Sequence, residues 1–363
     1  MKKLVISLSL AGIAVMAVDA WAAQSSGLCA AALKAAPAMT ECRESPRGVV
    51  IGTDVSAVMA AARAAAEGEE RFRAFFNRPV PSYVVTLATE SGFYGALRQS
   101  GFKIIQPWLG PDAKAVAIDQ SVRRAVLKAV EGKNMTPEQI EAMVAQARSK
   151  LPPIPAAKAE DTDAGALAHE LGHQWFIEAF WPGQKVRRLG HYGGPAPDWM
   201  DELAAVLCET DQMTTDRRRQ FKTIYLQQPG SEALADVRSH ALTDLETYLT
   251  REHPLNSTAR EAVKRIELET GQTSAVTVIT GAEARAMGRD GLIFYLQSRV
   301  FADFVIERTG NPRIFAVIAV AHARGSSFPA WLAKNGRKVK LPTTIAKLQT
   351  EWEVWLKVKY AGP

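Results

Sequence analysis

Residues 168–176 read AHELGHQWF, and residues 199–205 read WMDELAA. The first stretch contains the spacing His-Glu-x-x-His. Residues four apart lie on one face of an α-helix, so His169 and His173 can direct two imidazole nitrogens at one point. Zinc binds such nitrogens, and a catalytic zinc site combines three protein ligands with one water molecule. The spacing therefore predicts a helix that carries two zinc ligands, with Glu170 beside them to accept a proton from the water.

The third zinc ligand has to come from another segment of the chain. Glu202, in the second stretch, is the first candidate, because carboxylate oxygens complete many zinc sites. His191 is the alternative, but it lies in a glycine-rich loop at positions 190–195, which favours an exposed or substrate-facing side chain. Asp201 or Asp198 is predicted to orient one of the imidazoles by a hydrogen bond. We recognise no pattern around the remaining histidines and predict surface or core positions for them: His240, His253 and His322.

Both stretches resemble motifs of the aminopeptidase N family, which read His-Glu-Leu-Ala-His-Gln-Trp-Phe and Trp-Leu-Asn-Glu. The resemblance implies that His169, His173 and Glu202 bind one Zn²⁺ per chain, and that Glu170 is the general base. It also implies the gluzincin fold, which is an α+β fold. In that fold a small mixed α/β lobe and a mainly helical lobe have the active-site helix between them.

A third segment, residues 295–310, is similar to the helix that carries the catalytic tyrosine of that family. Gly310 lies at the same offset from the tyrosine as a glycine of the family. The resemblance makes Tyr295 the residue that donates a hydrogen bond to the oxyanion of the tetrahedral intermediate. Tyr248 and Tyr225 compete for that role, and the alternative for Tyr295 is a core or interface position.

Two features depart from the family pattern. Between His173 and Glu202 lie 28 residues, and the corresponding ligands of the family are closer together. The Gly-x-Met-Glu-Asn segment that grips the free amine of a substrate is absent, so aminopeptidase specificity does not carry over. We expect a compact zinc metallopeptidase that hydrolyses a peptide or protein substrate by general-base catalysis. The alternatives are a catalytically idle binding or scaffold module of the cell envelope, and a gluzincin hydrolase of a non-peptide amide.

The start of the chain has the pattern of a signal peptide at residues 1–22. Two lysines precede an apolar run that is too short to span a membrane, and a small-x-small cleavage site follows. We therefore expect an exported protein, periplasmic or secreted, with no membrane span after cleavage. A poorly structured leader at 23–47, a mixed α/β lobe at 48–155 and a helical zinc-binding catalytic lobe at 156–363 are predicted to follow.

Within the α/β lobe, β-branched and aromatic residues predict several strands. These strands are predicted at 48–52, 83–87, 103–105 and 115–118. An amphipathic helix is predicted at 56–76, and the capping-box pattern at 136–139 predicts the start of another helix. The strand at 83–87 is also expected to pair with the extended backbone of a substrate.

The three cysteines left after cleavage have different predicted states. Export places Cys29 and Cys42 in an oxidising compartment, where they are candidates for a disulfide, and the sequence leaves open whether the bond forms. Cys208 lies in an apolar run and is predicted to be a buried, inert thiol.

The charge balance does not favour nucleic acid as a partner. The chain has 44 Lys and Arg residues against 38 Asp and Glu residues, which is a mild excess. The densest basic cluster is at 217–219, and no aromatic residues interleave it as a stacking surface for bases would require. This cluster is predicted to be a solvated helix face.

Overall fold

The structure is a computed structural model that describes residues 27–88, 91–150, 156–184, 194–226, 242–254 and 281–361. The chain divides into two compact units. The first consists of Met1–Arg63 and Ser82–Pro153, and the second of Ala64–Pro81 and Ile154–Pro363. A small mixed sheet lies in the first unit and a largely helical region follows, so the predicted α+β class is confirmed at this level.

The first unit is built around a four-stranded sheet. In chain order its elements are α1 (27–35), β1 (Glu41–Glu44), β2 (Gly48–Gly52), α2 (Val55–Phe76), β3 (Tyr83–Thr86), α3 (Tyr94–Gln99), β4 (Ile104–Pro107), α4 (Pro111–Val130) and α5 (Pro137–Ser149). The boundary with the second unit falls within α2. Thr136 caps α5 in a complete capping box, as predicted.

The sheet has the strand order β1-β2-β3-β4. β1 is antiparallel to β2, with Cys42 opposite Ile51, whereas β2, β3 and β4 are parallel. β3 is hydrogen-bonded to β2 on one side and to β4 on the other, and all four of its residues are buried. The predicted pairing of this strand with a substrate is therefore wrong, because a strand paired on both sides has no edge to offer.

Two other sequence predictions for this unit are corrected. The apolar run at 115–118 is helical and lies within α4, where Val116 and Ile118 are 56% and 55% exposed. Four apolar residues do not distinguish a strand from a helix, and the proline in the first turn of α4 was the better signal. The predicted leader contains α1 and β1, and it joins the core of the unit through Ala32 and Ala36.

A disulfide joins Cys29 to Cys42, which answers the question that the sequence left open. It links α1 to β1, and such bonds are typical of proteins that fold in oxidising compartments. The prediction for Cys208 is confirmed, since its thiol is buried and donates to the carbonyl of Ala204. Burial raises the pKa of the Cys208 thiol.

The second unit is helical in the residues that the structure describes. Besides the end of α2 it contains α6 (Ala156–Phe180), α7 (Asp198–Cys208), α8 (Asp211–Leu226), α9 (Leu245–Thr250), α10 (Gly281–Thr309), α11 (Ile314–Ala323), α12 (Phe328–Asn335), a 3₁₀ turn (Gly336–Val339), α13 (Ile345–Leu356) and a π-helical turn (Lys357–Ala361). α7 packs against α6 and α10, and α10 also packs against α8. None of the helices described combines the length and the apolar character needed to cross a bilayer.

α6 and α7 come very close together at Gly172. A Cβ atom at this position would lie 2.9 Å from the Cα of Ala205 and 3.1 Å from the Sγ of Cys208. Both residues belong to α7, and Ala205 lies about one turn after Glu202. A larger side chain at position 172 would have to push α7 away, so the glycine sets the spacing between the two helices that carry the predicted zinc ligands.

Candidate metal centre

The structure brings the three predicted ligands together. His169 and His173 project from α6, and Glu202 projects from the first half of α7. All three side chains are buried, and their candidate ligand atoms lie within 4.8 Å of one another. The Nε2 atoms of the two histidines are 3.2 Å apart, and each lies 3.7 Å from a carboxylate oxygen of Glu202. This group could hold one metal ion.

The other ring nitrogen of each histidine contacts a buried carboxylate. Nδ1 of His173 lies 2.9 Å from Oδ1 of Asp201, and Nδ1 of His169 lies 2.7 Å from Oε1 of Glu209. A carboxylate at Nδ1 accepts a hydrogen bond from the ring N–H there, which keeps the proton on Nδ1 and leaves the Nε2 lone pair for a metal. The predicted acidic partner is thus confirmed for Asp201. Asp198 has a different contact, because it accepts a hydrogen bond from the backbone N–H of His253 at 2.7 Å.

The electrostatics of the group favour a positive charge. Burial by itself would lower the pKa of His173, because a desolvated imidazolium is unfavourable. The carboxylate of Asp201, followed by those of Glu202 and Glu170, outweighs burial and raises the pKa of His173 to about 9. Either a proton or a divalent cation at Nε2 of His173 would compensate the negative charge of these carboxylates.

The prediction of a solvated basic face at 217–219 is wrong for Arg217. Its side chain is buried, and its Nε and Nη2 donate to the two carboxylate oxygens of Glu209. Burial would raise the pKa of Glu209, but this guanidinium, together with His169, holds the pKa below its usual range. Arg218 and Arg219 follow the prediction more closely, with 46% and 64% of their side chains exposed.

The three candidate tyrosines have different surroundings. The ring of Tyr295 lies 5.6 Å from the ring of His169, beside the candidate metal ligands. Tyr248 is fully buried against the ring of Phe294, and its hydroxyl donates to Ser298 at 2.8 Å. Tyr225 stacks on the ring of Phe221. Tyr295 is therefore the candidate tyrosine whose ring lies next to a candidate metal ligand.

Two further histidines lie in the described residues. His253 is fully buried, and its Nε2 lies 3.9 Å from Oε2 of Glu202. The sequence prediction of a surface or core position missed this closeness to the candidate metal centre. His322 is half-buried beside Trp199, and burial lowers the pKa of His322. The rival ligand His191 and the remaining His240 lie outside the described residues.

Glu209 and Arg217 are the site residues that the sequence analysis missed. For Arg217 a signal was present, because Met213, Arg217 and Phe221 recur at four-residue spacing on α8. An arginine between two apolar residues of one helix face belongs to the buried face, where it needs an acidic partner. Glu209 immediately follows α7 and gave no comparable signal.

Comparisons with models of protein families, with curated proteins and with solved structures give no match for this chain. The family resemblance therefore rests on the sequence motifs alone. The buried group formed by His169, His173 and Glu202 brings together residues that two separate motifs supply.

Proposed function

We propose that this protein is an exported, zinc-dependent metallopeptidase of the gluzincin type. The observation that carries the proposal is the buried group of His169, His173 and Glu202. Two imidazole nitrogens and one carboxylate oxygen are a known donor set of catalytic zinc sites. Calcium and magnesium prefer oxygen donors, so the two histidines favour zinc over these cations.

A zinc ion bound there would supply Lewis-acid activation of a water molecule and of the scissile carbonyl. Glu170 follows His169 directly on α6, and its negative charge contributes to the raised pKa of His173; in this proposal its carboxylate takes the proton of that water. The same carboxylate would then pass the proton to the leaving amine. The hydroxyl of Tyr295 would donate a hydrogen bond to the developing oxyanion.

The proposed substrate is a peptide or a protein, and support for it comes from the motif resemblance. Export is supported by the pattern at residues 1–22 and by the disulfide between Cys29 and Cys42. The missing amine-gripping segment favours a substrate that is not selected by a free amino terminus.

The proposal is tested with Glu170→Gln, assayed with a general peptide library and a set of simple amides. The amide side chain of Gln cannot accept a proton, so we expect zinc to be retained and hydrolysis to fall by about 10²-fold or more. Glu160→Gln is the matched control, because it makes the same change at an exposed position ten residues earlier on α6.

Wild-type activity in Glu170→Gln would show that another residue is the general base. Zinc binding without hydrolysis of any peptide or amide by the wild type would favour the binding or scaffold module instead. Cleavage of simple amides without cleavage of peptides would point to a hydrolase of non-peptide amides.

A further inference from the structure

Arg217 is connected to His169, one of the candidate metal ligands, through the carboxylate of Glu209. It lies on α8 and is only 7% exposed. Its Nε and Nη2 donate to the two carboxylate oxygens of Glu209. One of those oxygens, Oε1, also lies 2.7 Å from Nδ1 of His169. The guanidinium, the carboxylate and the imidazole thus form one buried chain of contacts.

Arg217 has a second contact at the same site. Its guanidinium carbon lies 5.3 Å from the centre of the Tyr295 ring, within the range of a cation–π interaction. The Tyr295 ring in turn lies 5.6 Å from the ring of His169. One side chain therefore supports both a metal ligand and the tyrosine beside it.

We propose that Arg217 is a positioning residue, which holds the metal ligand His169 through Glu209 and the candidate oxyanion donor Tyr295 through its ring. This inference rests on the proposed function. The outer torsion of a glutamate side chain is broad, so a carboxylate held at one oxygen can rotate. The planar fork of an arginine binds both oxygens and fixes the plane of the carboxylate, which in turn fixes the imidazole.

The charge of Arg217 and its positioning role predict opposite changes in zinc affinity. Removal of a buried cation makes the site more negative, which by Coulomb's law favours a divalent cation. Loss of positioning instead allows Glu209 and the imidazole of His169 to reorient, which weakens zinc binding. The sign of the change in affinity separates the two roles.

The test compares the zinc affinities of Arg217→Met and Arg218→Met by chelator competition. Arg218 is a matched control, because it is the next residue on α8 and also binds a carboxylate with two nitrogens, that of Asp303 at 2.7 and 2.8 Å. We expect Arg217→Met to weaken zinc binding by about 10–100-fold. This is the usual effect of losing a residue that helps to orient a metal ligand through hydrogen bonds. Arg218→Met should leave the affinity unchanged. Unchanged or tighter binding in Arg217→Met would overturn the inference, as would an equal loss in both variants.

Loss of one partner of a buried ion pair can prevent folding, so Arg217→Lys is measured as well. Lysine keeps the positive charge, but its single ammonium cannot hold both carboxylate oxygens in one plane. We expect Arg217→Lys to fold, to bind zinc less tightly than the wild type, and to have a lower kcat at saturating zinc. KM should not change, because the support of Tyr295 acts in the transition state. Wild-type zinc affinity and kcat in this variant would contradict the proposal.

A third measurement needs neither zinc nor substrate. Selective ¹⁵N labelling of histidine reports which ring nitrogen of His169 carries the proton in the metal-free protein. We expect the proton on Nδ1 in the wild type and in Arg218→Met, and loss of that preference in Arg217→Lys. If the wild type binds no zinc, the proposed function fails and this measurement still decides the role of Arg217. If the wild type is an active zinc enzyme and the tautomer and zinc affinity are the same in all variants, the Arg217 inference alone fails.

Discussion

Gly172→Ala tests whether the spacing between α6 and α7 controls the candidate metal centre. Alanine is the better helix former, and this difference alone would stabilise the fold by about 0.5–1 kcal/mol. The added Cβ, however, would lie 2.9 Å from the Cα of Ala205, whereas carbon atoms prefer about 3.5–4.0 Å. The neighbouring atom belongs to the backbone and cannot rotate away, so α7 has to move by several tenths of an ångström.

Overpacking of this kind costs about 1–3 kcal/mol, which exceeds or cancels the gain in helix propensity. We therefore expect Gly172→Ala to destabilise the fold by about 0–2.5 kcal/mol in urea denaturation of the metal-free protein. The displacement of α7 also moves Glu202 away from the two histidines. Because ligand geometry has to hold within about 0.5 Å, zinc affinity should fall by at least about tenfold in a chelator competition.

Gly288→Ala is the matched control for this change. Gly288 is an exposed glycine within α10, and a Cβ there would meet no atom of the described residues within 4 Å. This variant should raise the free energy of unfolding by about 0.5–1 kcal/mol and leave the zinc affinity unchanged. If Gly172→Ala behaves in the same way as Gly288→Ala, the argument from helix spacing is wrong.

Four further variants test separate parts of the account. Tyr295→Phe should retain zinc and lower kcat by about 10²-fold with little change in KM, because the hydroxyl acts on the oxyanion; an unchanged kcat in steady-state assays would remove that role. Glu202→Ala should weaken zinc binding sharply and His191→Ala should not, and the reverse order in a chelator competition would make His191 the third ligand. Replacing Cys29 and Cys42 by alanine should lower the stability of the fold by about 3 kcal/mol, since the disulfide closes a short loop in the unfolded chain. Zinc affinity should stay the same. A smaller change in thermal unfolding together with an altered zinc affinity would contradict this prediction.

The predictions that succeeded rest on local geometry. His169 and His173 are four residues apart on one helix, so their common direction follows from the helical repeat. The capping box that begins α5 is equally local. The contact between Glu202 and the two histidines joins distant segments of the chain. Glu202 could still be chosen from the sequence, because the residues of the second motif are recognisable.

The strand predicted at 115–118 failed for a local reason, because four apolar residues do not distinguish a strand from a helix. Two other predictions failed because they depend on packing between distant segments. Arg217 lies within a basic run that looks solvated, and the identity of its partners follows only from the packing of α8, which brings it to Glu209 and to Tyr295. The strand Tyr83–Thr86 was assigned correctly, but its central place in the sheet depends on β4, which follows later in the chain. No local pattern reports such pairings.

The metal content of the mature wild-type protein tests the central claim most directly. The protein is loaded with zinc, dialysed to remove weakly bound ions, and examined by elemental analysis. The convergence of His169, His173 and Glu202 predicts about one zinc ion per chain. A protein that folds normally but retains no divalent metal after loading would contradict the account.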